Sequence, residues 1–317
     1  MRTSVVICVY TEDRWEDIRQ AVESVERQRR EAHELILVVD HNPDLLLRLK
    51  REHQRAVVVA NTHERGLSGG KNTGADIATG DVVAYLDDDA VADPGWLEAL
   101  EEGFQDSGVT GTVVGVGGRT EPIWASERRP RWFPYEFDWT VGCTYRGMPA
   151  VRAPIRNVMG GNAAFLREVV AEVGGFHSGI GRSVQGRKSR PLGCEETEFC
   201  IRLSQRRPGS VMLFEPRALI GHKVPRQRET FAYFRSRCYA EGLSKALVTR
   251  EVGAQDGLAS ERAHALKTLP LGALRGVGEA LRGDLGGLGR AAAIVIGLAW
   301  TTWGYLVGSA RLRGAGR

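Results

Sequence analysis

A short apolar run that ends in three consecutive acids constrains this chain more than any other stretch. Residues 82–86 are apolar and partly β-branched, which is typical of a buried strand in a parallel sheet, and Asp87, Asp88 and Asp89 follow at once. In an open α/β sheet the ligand crevice lies outside the carboxyl ends of the strands. Because side chains alternate along a strand, Asp87 and Asp89 can point to the same side, where a divalent cation would relieve their repulsion. A solvated acidic turn is the other interpretation of an isolated triplet.

Strand-like and helix-like segments alternate on both sides of this run. Residues 5–9, 35–39 and 56–60 are further apolar strands, and residues 15–25 carry apolar side chains at helical spacing. This alternation predicts an α/β fold with a mostly parallel, doubly wound sheet, and a chain of 317 residues can bury the core of an enzyme-sized domain.

Composition and charge exclude several functional classes. The net charge of +4 is mild and no zinc-finger or RNA-binding signature occurs, so we expect no nucleic-acid partner. Five scattered cysteines favour a reducing compartment over a disulfide framework. The N-terminus leads directly into a strand-like segment rather than a secretory signal, which predicts a cytoplasmic catalytic part.

A glycine-rich segment before the acidic run is a candidate anion site. Residues 65–74 read RGLSGGKNTG, and a helix that begins there would expose amide groups to an anion while Lys71 adds a full charge. The glycine spacing fits neither a Walker A motif nor a dinucleotide fingerprint, so a structural helix start is equally compatible. Farther along, His222 ends a predicted strand as the acids do, and could bind the same cation, although a lone histidine is more often structural.

Three acids lie in the first turn of a helix predicted to begin within residues 193–203. Glu195, Glu196 and Glu198 favour the positive end of the helix dipole, which is a structural reason for their presence. Two adjacent carboxylates also suit a general base, because each raises the pKa of the other and burial adds to the effect.

Two irregular segments follow the acidic run. Residues 119–156 contain seven aromatic side chains and fit no period, which predicts an ordered cover or a substrate-facing loop, with a packed hydrophobic cluster as the alternative. Residues 176–192 are rich in Gly, Arg and Lys and are expected to form a mobile basic loop, either near an anionic donor or simply exposed.

Taken together, these motifs resemble the family 2 inverting glycosyltransferases of GT-A fold, over about residues 4–242. Residues 4–11 resemble the first strand and nucleotide loop, residues 38–40 the acid at the end of the second strand, and residues 65–75 the glycine-rich segment. Leu86 to Asp89 resemble the extended DXD motif, residues 160–165 and 174–176 the acceptor side, and residues 193–198 the Gly-Glu-Asp-Thr-Glu helix start. Two departures occur at that helix start: Cys194 is inserted, and Glu196 replaces the usual Asp.

The resemblance implies a metal-dependent, inverting transfer of a sugar from a nucleotide-diphosphate sugar, UDP-linked by expectation, to an acceptor hydroxyl, with Mg²⁺ or Mn²⁺ as cofactor. The base falls on Glu196, with Glu195 as the alternative. The remaining roles implied are nucleotide-sugar binding by Val9, Tyr10, Glu12, Asp40, Arg65, Gly66, Lys71, Asp87 and Asp88, metal binding by Asp89, Asp87 and His222, and acceptor binding by Gly161, Asn162 and Trp132.

We expect a GT-A domain over residues 1–250, with a nucleotide-sugar and metal half (1–118) and an acceptor half (119–250), followed by a helical tail (251–317). Residues 291–310 carry no charge and are long enough to cross a bilayer. Their Trp and Tyr residues fall near the middle, which favours membrane association over a full span, and a helix packed on protein is the alternative. The acceptor is therefore expected to be a cell-envelope glycan or a glycolipid, at the cytoplasmic face of the membrane.

Two other functional classes share parts of this pattern. A non-catalytic scaffold would bind a nucleotide sugar without transferring it. A metal-dependent nucleotidyltransferase would release pyrophosphate rather than a nucleoside diphosphate. The sequence does not indicate an oligomeric state.

Overall fold

Strands and helices alternate through the first part of the chain, as the apolar periodicity predicts. The protein is described here from a computed structural model, which covers residues 1–178, 183–185, 188–190 and 193–314. Up to residue 124 the elements are β1 (Thr3–Val9), α1 (Trp15–Glu26), β2 (Glu34–Val39), α2 (Pro43–Glu52), β3 (Val57–Ala60), α3 (Leu67–Ile77), β4 (Val82–Asp87), β5 (Ala90–Ala92), α4 (Trp96–Phe104) and β6 (Thr112–Trp124).

Helices dominate the last third of the chain. The predicted basic loop at 176–192 includes residues 179–182, 186–187 and 191–192, which lie outside the described residues. The elements after residue 124 are β7 (Ala153–Ile155), β8 (Asn162–Leu166), α5 (Arg167–Glu172), β9 (Ser183–Gln185), β10 (Lys188–Arg190), α6 (Glu195–Arg206), β11 (Ser210–Val224), α7 (Phe231–Val252), α8 (Ala254–Gly257), α9 (Ala259–Ala263), α10 (Leu269–Leu281) and α11 (Gly286–Gly314), with short 3₁₀ turns at Glu12–Arg14, Tyr135–Val141 and Arg226–Glu229 and a π turn at His264–Thr268.

The main sheet confirms the α/β class and is mixed in direction. Its strand order within the described residues is β3-β2-β1-β4-β8-β6-β11-β5, with β7 beside β11. The pairs β1–β2, β1–β4 and β2–β3 are parallel, whereas β8 is antiparallel to β4 and β6, and β11 to β5 and β7. The expected mostly parallel sheet therefore holds only for β1 to β4. The strand-helix-strand alternation stops there, because β5 follows β4 after two residues and no α-helix lies between β6 and β8.

Strand β11 is one long strand, although residues 215–217 interrupt its apolar pattern. Glu215 stays in the strand because arginines neutralise it. Its buried carboxylate accepts hydrogen bonds from Arg152 Nε at 2.6 Å and from Arg217 Nε at 3.0 Å.

The chain divides into two compact units. Unit 1 comprises Met1–Glu121, Pro149–Arg190 and Glu195–His222, and unit 2 comprises Pro122–Met148, Pro191–Cys194 and Lys223–Arg317. In unit 1, two hydrophobic clusters cover the sheet, one centred on α1 and α4 residues and the other on α5 and α6 residues. In unit 2, buried residues of the aromatic segment pack with α7 and α11, including Trp124, Phe133, Phe137, Phe234 and Ile294.

Candidate active site

Three potential ligands converge at the carboxyl end of β4 in unit 1. Asp87, Asp89 and His222 each offer an atom within 4.8 Å of the others. Alternation along the chain places Asp87 and Asp89 on one side, as expected from the sequence. The pairing of β5 with β11 sets His222 opposite Ala90, directly beside Asp89, and His222 Nε2 lies 3.1 Å from Asp89 Oδ1.

The middle acid of the triplet points to a different partner. Asp88 Oδ1 accepts a hydrogen bond of 2.6 Å from Arg14 Nη1, and the same nitrogen lies 3.2 Å from Asp89 Oδ2. Burial raises the pKa of Asp88 to about 7, because desolvation and the neighbouring carboxylates outweigh the guanidinium. Arg14 is the residue that the sequence did not reveal. Nothing in the segment before α1 distinguishes it from other surface arginines.

The donor set fits a hard divalent cation. Two ligands at about 2.1 Å from an octahedral ion lie about 3 Å apart, which is close to the spacing of His222 Nε2 and Asp89 Oδ1. Among the described residues, His222 Nδ1 and Asp88 Oδ2 are buried without a hydrogen-bond partner, so the protein alone leaves polar groups unsatisfied here. Two carboxylates and an imidazole can therefore hold Mn²⁺ or Mg²⁺.

Asp40 organises the loop next to this cluster. It follows β2, and its Oδ1 accepts a hydrogen bond of 2.8 Å from Asn61 Nδ2 while its Oδ2 accepts one of 3.1 Å from the amide of Gly66. Gly66 begins α3 with a φ of 128°, which favours glycine, and Arg65 Nη2 donates to the carbonyl of His41 at 3.2 Å. Asp40, Arg65 and Gly66 thus lie together, and their role in binding the nucleotide sugar stays a prediction.

Lys71 is a buried cation among carboxylates. It lies on α3 and is 2% exposed, and its Nζ is 3.4 Å from Glu195 Oε1 on α6. Burial alone would lower the pKa of Lys71, but Glu195, Glu196 and Asp87 raise it. The glycine-rich segment therefore supplies its charge inside unit 1 rather than on an exposed loop.

The three acids that open α6 occupy different surroundings. Glu195 is 4% exposed and pairs with Lys71, and Glu198 is fully buried and accepts a hydrogen bond of 2.6 Å from Arg202 Nε. Glu196 is only partly buried, and a side-chain carbon on Gly160 would lie 3.4 Å from its Oε2 and 2.7 Å from Lys71 Nζ. Glu196 is thus the most accessible carboxylate of the three.

Of the predicted acceptor residues, Gly161 lies against the acidic cluster. A side-chain carbon there would lie 2.1 Å from Asp87 Oδ2, so a larger residue just before β8 would displace the Asp87 carboxylate. Gly160 and Gly161 therefore connect the surroundings of Glu196 with those of Asp87.

Asn162 and Trp132, the other two residues predicted to bind the acceptor, are held by contacts with other protein groups. Asn162 is fully buried; its Oδ1 accepts from Trp96 Nε1 at 2.8 Å, and its Nδ2 donates to the carbonyls of Arg119 and Ala218 at 3.0 Å. Both amide hydrogens and one acceptor site of Oδ1 join neighbouring strands and α4, so the buried side chain has no N–H left to donate to an acceptor. Trp132 belongs to unit 2, where its ring packs edge-on against Phe231 and Phe234.

The residues after β1 complete the set of candidates. Val9 is buried, so only its backbone can contact a ligand. Tyr10 is 46% exposed, and the guanidinium of Arg14 lies 5.3 Å from its ring centre. Glu12 is exposed and lies 3.9 Å from Arg48.

Comparison with known proteins decides the family. The model of the family described as glycosyl transferase family 2 matches residues 4–174, more than half of the chain. The chain is also 35% identical over 251 residues to the glucosyl-dolichyl phosphate glucuronosyltransferase of Haloferax volcanii, and the match covers 78% of this chain and 77% of that protein. This chain belongs to glycosyl transferase family 2. The resemblance seen in the motifs is thereby confirmed, and the protein is a glycosyltransferase.

Solved structures show that this family 2 glycosyltransferase has the GT-A fold. A mannosyltransferase from Pyrobaculum calidifontis, solved with GDP-Man and Mn²⁺, superposes with a TM-score of 0.60 at 17% identity, over 95% of this chain and 87% of that one. GalNAc-T7, solved with UDP, GalNAc and Mn²⁺, gives a TM-score of 0.50 at 20% identity, over 70% of this chain and 43% of that one.

Proposed function

We propose that this family 2 glycosyltransferase is metal-dependent and inverting, and that it transfers a sugar from a UDP-linked donor to a hydroxyl of a lipid-linked acceptor. The observation that carries the proposal is the position of Gly160 and Gly161 in unit 1. One glycine adjoins Glu196, the other adjoins Asp87, and Asp87 shares its cluster with Asp89 and His222. A candidate base and a candidate cation site thus flank a single dipeptide.

On the donor side, the strand ends would hold the nucleotide sugar. Asp89, Asp87 and His222 would bind Mn²⁺ or Mg²⁺, which supplies positive charge against the departing nucleoside diphosphate. Asp40 keeps the Arg65–Gly66 loop against the start of α3, where amide groups and a side-chain cation can face the nucleotide.

On the acceptor side, Glu196 would accept the proton of the attacking hydroxyl. Glu195 and Glu198 are held by Lys71 and Arg202, so their charges are already neutralised inside the protein. Glu196 is the partly exposed acid, and the side chain of Glu reaches one methylene farther than the usual Asp. A single displacement assisted by one base inverts the configuration at the anomeric carbon.

Two observations support a lipid-linked acceptor. The relative that is 35% identical is named for a glucosyl-dolichyl phosphate substrate. In addition, α11 is long and apolar enough to cross a membrane by length and composition, the one such helix in the described part of the chain. Synthesis of a cell-envelope glycan at the cytoplasmic face of the membrane follows as our expectation.

The test is a donor screen with the purified full chain. UDP- and GDP-linked sugars are incubated with Mn²⁺, Mg²⁺ or EDTA, with and without polyprenyl-phosphate-linked glucose, and the release of nucleoside diphosphate is followed. We expect release from one donor only, dependent on both the metal and the lipid, and a β-linked product from an α-linked donor by NMR. Metal-independent release, or an α-linked product, would contradict the proposal.

Matched variants locate the base. Glu196→Gln should abolish turnover while donor binding, measured by calorimetry, is retained. Glu195→Gln should lower stability but keep measurable turnover. If the two variants exchange behaviours, the base is Glu195.

A further inference from the structure

Unit 2 carries an extended apolar surface on its last two helices. Leu271, Leu274, Val277 and Leu281 lie on one face of α10 and are 61%, 69%, 42% and 85% exposed. Leu285, which precedes α11, and Leu288, in its first turn, are also exposed, and α11 adds Val295, Leu298, Trp303 and Leu306. We call these ten residues the outer face.

This exposure is concentrated rather than scattered. Residues 266–306 hold eleven of the twenty large hydrophobic residues that are exposed in the described part of the chain. Single exposed leucines are normal on soluble proteins, whereas a contiguous apolar patch marks an interaction surface. The spacing of residues 271, 274 and 281 is that of one face of α10, so this part of the surface belongs to an ordered helix.

Cations outnumber acids in the segment that carries the outer face. Residues 264–314 contain six Lys and Arg and two acids, Glu279 and Asp284. Both acids pair with Arg290. Four exposed cations form no ion pair within the described residues: Lys267, Arg282, Arg311 and Arg313.

We infer that the outer face docks α10 and α11 on the surface of an anionic lipid bilayer, with both helices lying in the interface. An apolar stripe beside unneutralised cations matches acyl chains next to anionic headgroups. A second copy of this chain fits less well, because a two-fold interface would bring the same cations together without acids to pair them.

The packing of α11 argues for docking over spanning. Its glycines lie against α7: side-chain carbons on Gly304 and Gly308 would lie 2.1 Å from the carbonyl oxygen of Tyr239 and 2.8 Å from Ala246 Cβ. On α7 the charged residues Arg237, Glu241 and Lys245 form ion pairs. To cross a bilayer, α11 would have to leave this charged helix, whereas docking on the surface leaves the packing of α11 on α7 in place.

The inference goes beyond the proposed function, and its test uses no activity. The purified full chain is sedimented with phosphatidylcholine vesicles that contain or lack phosphatidylglycerol. We expect binding that needs the anionic lipid and weakens with salt. Leu274→Gln/Leu281→Gln should lower the partition coefficient at least about tenfold, since each leucine buries a full side chain of apolar area. Leu47→Gln on α2, where Leu47 is 61% exposed, is the matched control and should change nothing.

Charge and depth are tested separately. Lys267→Gln/Arg282→Gln should lower the preference for anionic lipid, since it removes two of the four cations. Trp303 lies near the middle of the charge-free segment, so quenching of its fluorescence by brominated lipids reports its depth in the bilayer. Trp303→Phe is the control for the fluorescence of the other tryptophans. Bromines attached near the headgroups should quench the fluorescence of Trp303 most. Quenching that is strongest at the bilayer centre, unchanged binding of the leucine variant, or a lipid-independent dimer that needs these leucines would each overturn the inference.

Discussion

Replacing Lys71 with Met tests whether this lysine neutralises the acids at the start of α6. The substitution keeps the length and apolar stem of the side chain and removes the charge. In the structure Lys71 Nζ is 3.4 Å from Glu195 Oε1, and Glu196 and Asp87 also contribute to its raised pKa. The variant therefore leaves three carboxylates of unit 1 without their shared counter-ion.

The size of the effect follows from burial. Lys71 is 2% exposed and Glu195 is 4% exposed, so solvent cannot replace the lost partner. Removal of one member of a buried ion pair typically costs about 3–5 kcal/mol of folding free energy. We expect Lys71→Met to fall in that range, and Lys71→Arg to lose less because it keeps the charge. The loss for Arg is not zero, because a guanidinium is larger than the ammonium group that is buried at this position.

The measurement is urea unfolding, monitored by hydrogen exchange in peptides from α3 and α6. These peptides report on unit 1. A double-mutant cycle with Glu195→Gln isolates the pair. In the Glu195→Gln background, Lys71→Met should cost at least about 1.5 kcal/mol less than in the native chain. Equal costs in both backgrounds would show that Lys71 does not act through Glu195. A cost below about 1 kcal/mol in the native chain would refute the reasoning altogether.

Three further substitutions test other contacts. Gly161→Ala places a carbon 2.1 Å from Asp87 Oδ2, so it should weaken Mn²⁺ binding, measured by calorimetry, by at least about tenfold. An unchanged affinity would show that Asp87 is not a ligand of the cation. Asn162→Ala leaves the indole N–H of Trp96 and two carbonyls without their hydrogen-bond partner, so it should lower the free energy of unfolding in urea by about 2–4 kcal/mol. The KM for the acceptor should stay unchanged. A raised KM with full stability would instead support a role of Asn162 in acceptor binding. Gly242→Ala places a carbon 2.1 Å from the carbonyl oxygen of Thr301, so it should separate α7 from α11 and lower the melting temperature of unit 2. An unchanged melting temperature would contradict this packing of α7 on α11.

The sequence predicted those features that depend on local order. The run at 82–86 forms β4, and the acids after it lie at the end of that strand, because the apolar run and the alternation of side chains are local properties. Helix α6 begins at Glu195, where three acids favour the helix dipole.

Features that depend on long-range pairing could not be predicted. Arg14 is one of many arginines, and its contact with Asp88 links residues 74 positions apart. Asn162 carries no signal that its amide joins Trp96 to two carbonyls. The inserted Cys194 adopts a φ of 75°, which is uncommon for a residue other than glycine, and neither composition nor periodicity indicates such a conformation.

The interpretation of residues 291–310 shows why composition alone was ambiguous. A charge-free segment diluted by glycine is compatible with a bilayer span and with a helix packed on protein. The structure assigns the two kinds of residue to different sides of α11: Gly297, Gly304 and Gly308 are buried, whereas Trp303 and Leu306 are exposed. The small residues of α11 face a charged helix, and its large apolar residues face outward. The two sides of α11 therefore differ in side-chain size rather than in polarity. Hydropathy averaged over the segment cannot detect this arrangement, because an average discards the position of each glycine and each large apolar residue, whereas the burial of each position shows it.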